Sequence, residues 1–241
     1  MPKPPTKQGP GPRSTHVNVK TARSRSNASQ RWLLRQLNDP YVKMAQAAGY
    51  RSRAAFKLTE LNERFKLLRP GIRVVDLGAA PGGWTQVALR ALDQGGQVVA
   101  LDLLPMDNLA GAIILQGDFQ DDATEQAVLA ALGGYADLVL SDMAPNTTGH
   151  GPTDHLRIMD LAALALDFAV KVLAPGGGFV AKVFQGGSEK AMLERLRQSF
   201  TEVRHAKPPA SRKESSELYV VATGFKRDSH TASLDAPGRQ G

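Results

Sequence analysis

The chain is predicted to fold as an α/β domain built on a doubly wound, mostly parallel sheet. Three observations carry this. Strand-like apolar runs alternate with segments of helical spacing, the pattern of a parallel sheet with crossover helices. Several of these runs are almost continuously apolar, as in strands buried on both faces. The first of them, Val74-Val75-Asp76-Leu77, contains an acid and passes at once into the turn Gly78-Ala79-Ala80-Pro81-Gly82-Gly83-Trp84. A domain of this class opens a nucleoside pocket in that way, at the carboxyl end of its first strand.

The elements follow in order. From Arg31 to Ala48, helical spacing at Trp32, Leu33, Leu37 and Val42 is broken by Asp39-Pro40. Ser52–Leu67 is a stronger helix, with Ala55, Phe56, Leu58, Leu61 and Phe65 mostly on one side, and Pro70-Gly71 ends it. Strands are expected at Arg73–Leu77, Gln97–Asp102, Ala112–Gln116, Ala136–Ser141, Gly178–Phe184 and Leu218–Phe225. Helices are expected between them at Thr85–Leu92, Ala123–Leu132, His155–Leu173 and Glu189–Ser199. Thr201–Lys207 reads as one more strand, pairing with Leu218–Phe225 across an Arg/Lys/Ser-rich loop.

The glycine turn narrows the ligand. It lacks the G-x-G-x-x-G spacing of a dinucleotide site and the Lys-Ser/Thr of a P-loop, so it offers no close seat for a pyrophosphate. A nucleoside without phosphates, such as S-adenosylmethionine (SAM), fits better. Acids stand at three further strand ends. Asp102 closes Val98-Val99-Ala100-Leu101-Asp102 and suits the two hydroxyls of a ribose. Asp118 follows the third strand, at a level that suits an exocyclic adenine amine, and Asp142 follows the fourth. Each alone reads more readily as a turn or helix cap; three in succession point to one pocket. Lys182 is the odd residue in Phe179-Val180-Ala181-Lys182-Val183-Phe184. A lysine there needs a partner or a task, unless it lies on an edge strand and snorkels to solvent. Glu217 reads by itself as an exposed strand-end acid, and Lys57 as a solvated helix residue.

Composition bounds the function classes. The chain has 241 residues, of which 42% are hydrophobic, an ordinary share for a soluble domain. With no cysteine, disulfides and thiolate metal sites are excluded. There is no apolar run long enough to span a membrane and no signal-peptide core, so a cytoplasmic location is expected. The net charge of +7 is concentrated: residues 1–38 hold eight of the 30 basic residues and none of the 23 acidic ones. Residues 1–30, also rich in Pro, Gly, Ser and Thr, are expected to form a disordered basic arm, 31–226 the folded domain, and 227–241 a disordered tail. Such an arm suits a polyanion, most often a nucleic acid; a solubilising tail is the plainer reading.

Four contexts now align. They are Arg51-Ser52-Arg53-Ala54-Ala55-Phe56-Lys57, Ser141-Asp142-Met143-Ala144-Pro145-Asn146, Lys182-Val183-Phe184-Gln185 and Ser216-Glu217-Leu218-Tyr219-Val220. With the glycine turn and Asp102-Leu103-Leu104-Pro105-Met106-Asp107, they make the chain closely resemble the FtsJ/RlmE family of 23S rRNA (uridine-2′-O-)-methyltransferases, from about Arg31 to Phe225. The resemblance implies a Rossmann-like SAM-dependent methyltransferase fold with a seven-stranded, mostly parallel sheet and an antiparallel last strand. It implies a catalytic tetrad of Lys57, Asp142, Lys182 and Glu217, with Lys182 as proton acceptor and no metal. Gly82, Trp84, Asp102, Asp118 and Asp142 would form the SAM site.

The implied partner is 23S rRNA, in or near a large ribosomal subunit, with no membrane or DNA partner and a monomeric protein. RNA contacts are expected from Arg31, Arg35 and a basic platform of Arg51, Arg53, Lys57, Arg64 and Lys66, with the Lys207–Lys213 loop as a rim. The competing readings are a tRNA or mRNA-cap 2′-O-methyltransferase and a non-catalytic ribosome-assembly RNA-binding protein. The missing G-x-G-x-x-G argues against a nicotinamide oxidoreductase.

Overall fold

A computed structural model describes residues 34, 37–93, 95–145, 148–185 and 189–227. The helices are α1 (Pro40–Ala47), α2 (Ala55–Phe65), α3 (Gly83–Leu92), α4 (Asp122–Leu132), α5 (Gly151–Val172) and α6 (Glu189–Ser199). The strands are β1 (Arg73–Leu77), β2 (Gln97–Asp102), β3 (Ala112–Gln116), β4 (Ala136–Ser141), β5 (Leu173–Phe184), β6 (Phe200–Ala206) and β7 (Glu217–Phe225). The expected basic arm and tail, along with Trp32, Leu33 and the cations Arg31 and Arg35, lie outside the described residues.

The sheet has seven strands in the order β3-β2-β1-β4-β5-β7-β6. β1 pairs in parallel with β2 on one side and β4 on the other. Strand order therefore reverses between β1 and β4, and the crevice at this switch point is where such sheets bind ligands. β7 runs antiparallel to both β5 and β6, the hairpin-like ending that residues 201–225 suggest.

Side chains alternate across each strand and so build two apolar layers. Val75, Leu77, Val99, Leu101, Val139, Phe179 and Ala181 meet α4, α5 and α6 on one face. Val74, Val98, Leu138, Leu140 and Val180 meet α2 and α3 on the other. Lys182 has the parity of Val180 and faces the α2/α3 side.

Several boundaries differ from the sequence pattern, and three of them have a clear local reason. α1 starts at Pro40 because Asp39 caps it, its Oδ1 accepting from the Tyr41 N–H at 3.0 Å; the Asp-Pro that breaks the periodicity is a helix start. α5 starts at Gly151, four residues early. Pro152 is tolerated in its first turn, and Asp154 accepts bonds from the Thr148 N–H, the Thr148 hydroxyl and the Gly149 N–H at 2.7, 2.8 and 3.2 Å. β5 starts at Leu173 rather than Gly178. Its register with β4 jumps between Ala136↔Leu173 and Leu138↔Gly178, so Ala174–Gly177 bulge out without ending the strand. Among the described residues, no helix is long and apolar enough to cross a membrane.

Candidate active site

Strand register sets the site. Leu77 pairs with Leu101 and with Ser141, so Gly78, Asp102 and Asp142 emerge at one level from three adjacent strands. The turn after β1 folds over β2: the Gly78 and Ala79 N–H groups donate to the Leu101 carbonyl at 2.9 and 3.2 Å. The Ala80 N–H donates to Asp102 Oδ2 at 2.8 Å, and the Leu104 N–H to Oδ1 at 2.8 Å. Each Asp102 oxygen keeps a lone pair, which is the acceptor set a ribose diol needs. The turn tolerates only glycine at two points. Gly78 has φ +71°, and a Cβ there would strike the Met143 side chain. Gly82, at φ +109°, would bring a Cβ to 3.1 Å from Arg51 Nη1. Gly82 caps α3, whose first-turn N–H groups have no intrahelical partner. The residues therefore fit a nucleoside-type cofactor. Asp118 is half-exposed just beyond β3, and its Oδ1 accepts from the Gln120 N–H at 3.0 Å. Arg51 fastens this pocket from outside, donating to the carbonyls of Pro81, Asp107 and Asn108 at 3.2, 2.9 and 2.7 Å.

The second half of the site forms across β4, β5 and β7. Ser141 pairs with Ala181, which places Asp142 beside Lys182. Lys182 lies opposite Tyr219, and Glu217 shares the face of Tyr219 two residues along β7. Lys182 Nζ is 2.8 Å from Asp142 Oδ1 and donates to the Asp142 carbonyl at 2.8 Å. Lys57, on α2, reaches down to Glu217 Oε1 at 2.8 Å and lies 3.8 Å from Asp142 Oδ1. Both lysines are 8% exposed. The four expected tetrad residues thus form one cluster. β5 is an interior strand, so Lys182 does not snorkel from an edge, and Lys57 is not a solvated helix residue.

Tyr219 was not visible as a site residue in the sequence. It is fully buried, and its hydroxyl donates to Asp142 Oδ1 at 2.5 Å and accepts from Lys57 Nζ at 3.0 Å. The signal was its position two residues from Glu217, hidden in an apolar-looking strand. Burial and the two adjacent carboxylates hold its pKa well above the ordinary value, so the phenol stays a donor. Ser211 was missed as well; it is buried in the β6–β7 loop and donates to Glu217 Oε1 at 2.8 Å. Burial alone would raise the Asp142 pKa. The ammonium groups of Lys182 and Lys57, with hydrogen bonds from Lys182 and Tyr219, outweigh burial and hold it below the usual range.

Two sequence expectations change in detail. The Trp84 indole does not face an open pocket: it is buried, its Nε1 donates to the Ala54 carbonyl at 2.8 Å, and its ring packs 5.7 Å from Tyr219. Only its backbone, in the first turn of α3, is left to meet a ligand. The basic platform is not continuous either. Lys57 is spent in the tetrad and Arg51 on loop carbonyls, while Arg53 is paired with Asp39 at 3.1 Å and bonded to the Ala210 carbonyl at 2.6 Å. These three sit where α2 packs on the site, and loop carbonyls and carboxylates claim them. Arg64 and Lys66 remain exposed.

The doubly wound sheet with its switch-point glycine turn is a Rossmann-like methyltransferase fold. The chain belongs to the FtsJ-like methyltransferase family, whose model matches residues 50–225. It is 64% identical over 216 residues to the ribosomal RNA large subunit methyltransferase E of Granulibacter bethesdensis, covering 90% of this chain and 93% of that one. It is 62% identical over 216 residues to the protein of the same name from Acidiphilium cryptum, covering 90% and 95%. A solved ribosomal RNA methyltransferase from Plasmodium falciparum superposes with a TM-score of 0.67 at 28% identity, covering 73% of this chain and 98% of that one.

Asp76 supplies a pH test. It lies buried under the pocket and accepts from the Thr85 hydroxyl at 2.7 Å. Burial, then the nearby Asp142 and Asp102, raise its pKa to about 7 against an offsetting bond from Thr85. The folded state therefore keeps a proton that the unfolded chain releases near pH 4. Stability from this group is complete below that pH and is lost as the pH rises through about 7. The isosteric Asp76→Asn variant should gain stability relative to the parent between pH 4 and 8, measured by urea unfolding. Parallel stability–pH curves would remove the assignment.

Proposed function

We propose that the protein transfers a methyl group from SAM to the ribose 2′-hydroxyl of a uridine in the A-loop of 23S rRNA, on the large ribosomal subunit. The observation that carries the chemistry is the Lys57–Asp142–Lys182–Glu217 cluster at the strand ends beside the nucleoside pocket. The choice of RNA rests on the likeness to the large-subunit methyltransferases. In this reading Asp102 holds the cofactor ribose, Asp118 the adenine amine, and Gly82 and the Trp84 backbone line the turn. Asp142 belongs to both halves. When bound, SAM supplies an electrophilic methyl group whose sulfur departs neutral.

A ribose hydroxyl is a weak nucleophile, so this chain's residues must place and deprotonate it. To act as base, Lys182 must first release one ammonium proton to solvent; the amine so formed has two N–H groups and one lone pair. The two N–H groups are taken by Asp142 Oδ1 and the Asp142 carbonyl. The lone pair is thereby left for the ribose proton. As the 2′-oxygen takes up the methyl group, Lys182 Nζ would accept that proton. Asp142 stabilises the ammonium so formed. Lys57, tied to Glu217 and to the Tyr219 hydroxyl, keeps that carboxylate and phenol in place and presents positive charge to the attacking oxygen. DNA lacks the reacting hydroxyl and is excluded as substrate.

Asp102→Ala should weaken SAM binding by about 1.5–3 kcal/mol, the cost of losing a charge-assisted bond; unchanged affinity by calorimetry removes Asp102 from the site. Lys182→Ala should abolish single-turnover methylation with SAM affinity retained. Lys182→Arg should not rescue it, because arginine does not deprotonate at working pH. Parent-like turnover in either variant would overturn the proton-acceptor role. For the substrate, ribosomal subunits, naked rRNA, tRNA and capped mRNA should be offered in parallel and the modified nucleotide mapped by mass spectrometry. 2′-O-Methyluridine in large-subunit RNA is the expected product. Methylation of tRNA or cap alone overturns the substrate and leaves the chemistry standing.

A further inference from the structure

A cleft of about 530 Å³ lies between the start of α1 and the β6–β7 loop, outside the two half-sites described above. Pro40, Tyr41 and Pro209 give it apolar walls, and Arg53, Arg212 and Lys213 bring positive charge to it. Its volume falls within the range of small-molecule pockets, enough for a nucleoside-sized group. One wall is Ser211, whose hydroxyl donates to Glu217 Oε1 at 2.8 Å. The cleft therefore stands one hydrogen bond from the tetrad, where a strand delivering its ribose to Lys182 has a neighbouring nucleotide to accommodate.

The cleft is pre-formed. The Ala210 N–H donates to Glu60 Oε2 at 2.7 Å, and the Ala210 carbonyl accepts from Arg53 Nη2 at 2.6 Å. Lys207 Nζ closes the loop on itself, donating to the carbonyls of Lys213 and Ser215 at 3.1 and 2.5 Å. A strand binding here has no loop to order first, which spares the usual entropic cost.

Charge selects the occupant. Arg53 and Arg212 share the single carboxylate of Asp39, at 3.1 and 3.5 Å, so two guanidinium groups face one anion. Lys213 is exposed, and its ammonium has no partner among the described residues. Glu214 is the one other acid among the described residues of the lining. At the opposite edge the cleft is lined by Leu34 and Asn38. There the chain leads into residues 1–38, with eight basic residues and no acid. That segment cannot complement a cationic rim; a phosphodiester strand complements both.

We propose that this cleft holds the RNA nucleotide flanking the reactive ribose, its base against Pro40 and Pro209 and its phosphate on Arg212 and Lys213. The assignment rests on the reading of the protein as an RNA 2′-O-methyltransferase. It makes the β6–β7 loop a second recognition element, distinct from the cofactor pocket and from the tetrad it adjoins.

The test uses the full chain with Lys213→Ala, Lys213→Glu and the double variant Arg212→Ala/Lys213→Ala, on large-subunit particles and on naked rRNA. The double variant should raise the RNA KM about tenfold, and the slope of log affinity against log salt should become shallower by about 1.4–1.8 units, as for two lost phosphate contacts. Turnover at saturating RNA and SAM affinity should stay at parent values. Lys213→Glu, at an exposed position that does not threaten the fold, should cost more than Lys213→Ala. Photo-cross-linking of 4-thiouridine-substituted rRNA should label residues 207–216. RNA methylated by the parent and equally well by all variants, with equal salt slopes, overturns the cleft assignment alone. So does a defect on particles with none on naked rRNA, which would mark a ribosomal protein as the occupant. A parent protein that methylates no RNA overturns the function and the cleft with it.

Discussion

Two ammonium groups and two carboxylates are packed together on the α2/α3 face of the sheet, and none of them would be stable there alone. An isolated buried charge pays a desolvation cost that only a close counter-charge and hydrogen bonds can offset. Lys182 and Asp142 face each other at 2.8 Å, as do Lys57 and Glu217. Tyr219 joins the two pairs through one hydroxyl. Because each charge is held by the others, their geometry is over-determined, which is what a group that must meet a reacting atom requires. The same packing explains why α2 cannot shift freely: it carries Lys57 and, through Trp84 and Ala54, is pinned to α3.

Backbone pairing, rather than side-chain choice, brings these groups together. A parallel register aligns Asp142 with Lys182, and an antiparallel one aligns Lys182 with Tyr219. A slip of one residue in β5 would turn Lys182 to the α5 side and leave the carboxylates without a counter-charge. The apolar residues that alternate with Lys182, namely Ala181 and Val183, resist that slip because both are buried in the opposite layer.

Much of this was legible in the residues. The bounds of β1 to β4 follow directly from short apolar runs between turn residues, since local pattern and burial agree there. The common level of Asp102 and Asp142 could be read because they sit at strand ends, where sequence position and spatial position coincide. The tetrad was legible only through likeness to a family. Lys57 and Glu217 lie 160 residues apart, and nothing local marks either as buried. Tyr219 and Ser211 were invisible because their roles are set by contacts across elements. The basic residues misled for the same reason. A run such as Arg51-Ser52-Arg53 reads as surface until the carbonyls and the carboxylate that claim it are known. β5 misled through its Pro175-Gly176-Gly177, which breaks strands in general but here fills a bulge.

The reversed direction of β7 has a consequence for how the protein can diversify. It brings the start of a late strand to the same rim as the ends of β1, β2 and β4. Residues that suit a cofactor thus come from the first half of the chain, and those around the acceptor come mainly from the second. Asp142 and the reach of Lys57 are the joints between the halves. The β6–β7 loop can lengthen, shorten or change charge without disturbing the glycine turn. One methyl-donor module could in this way be matched to different acceptors by editing a single hairpin connection.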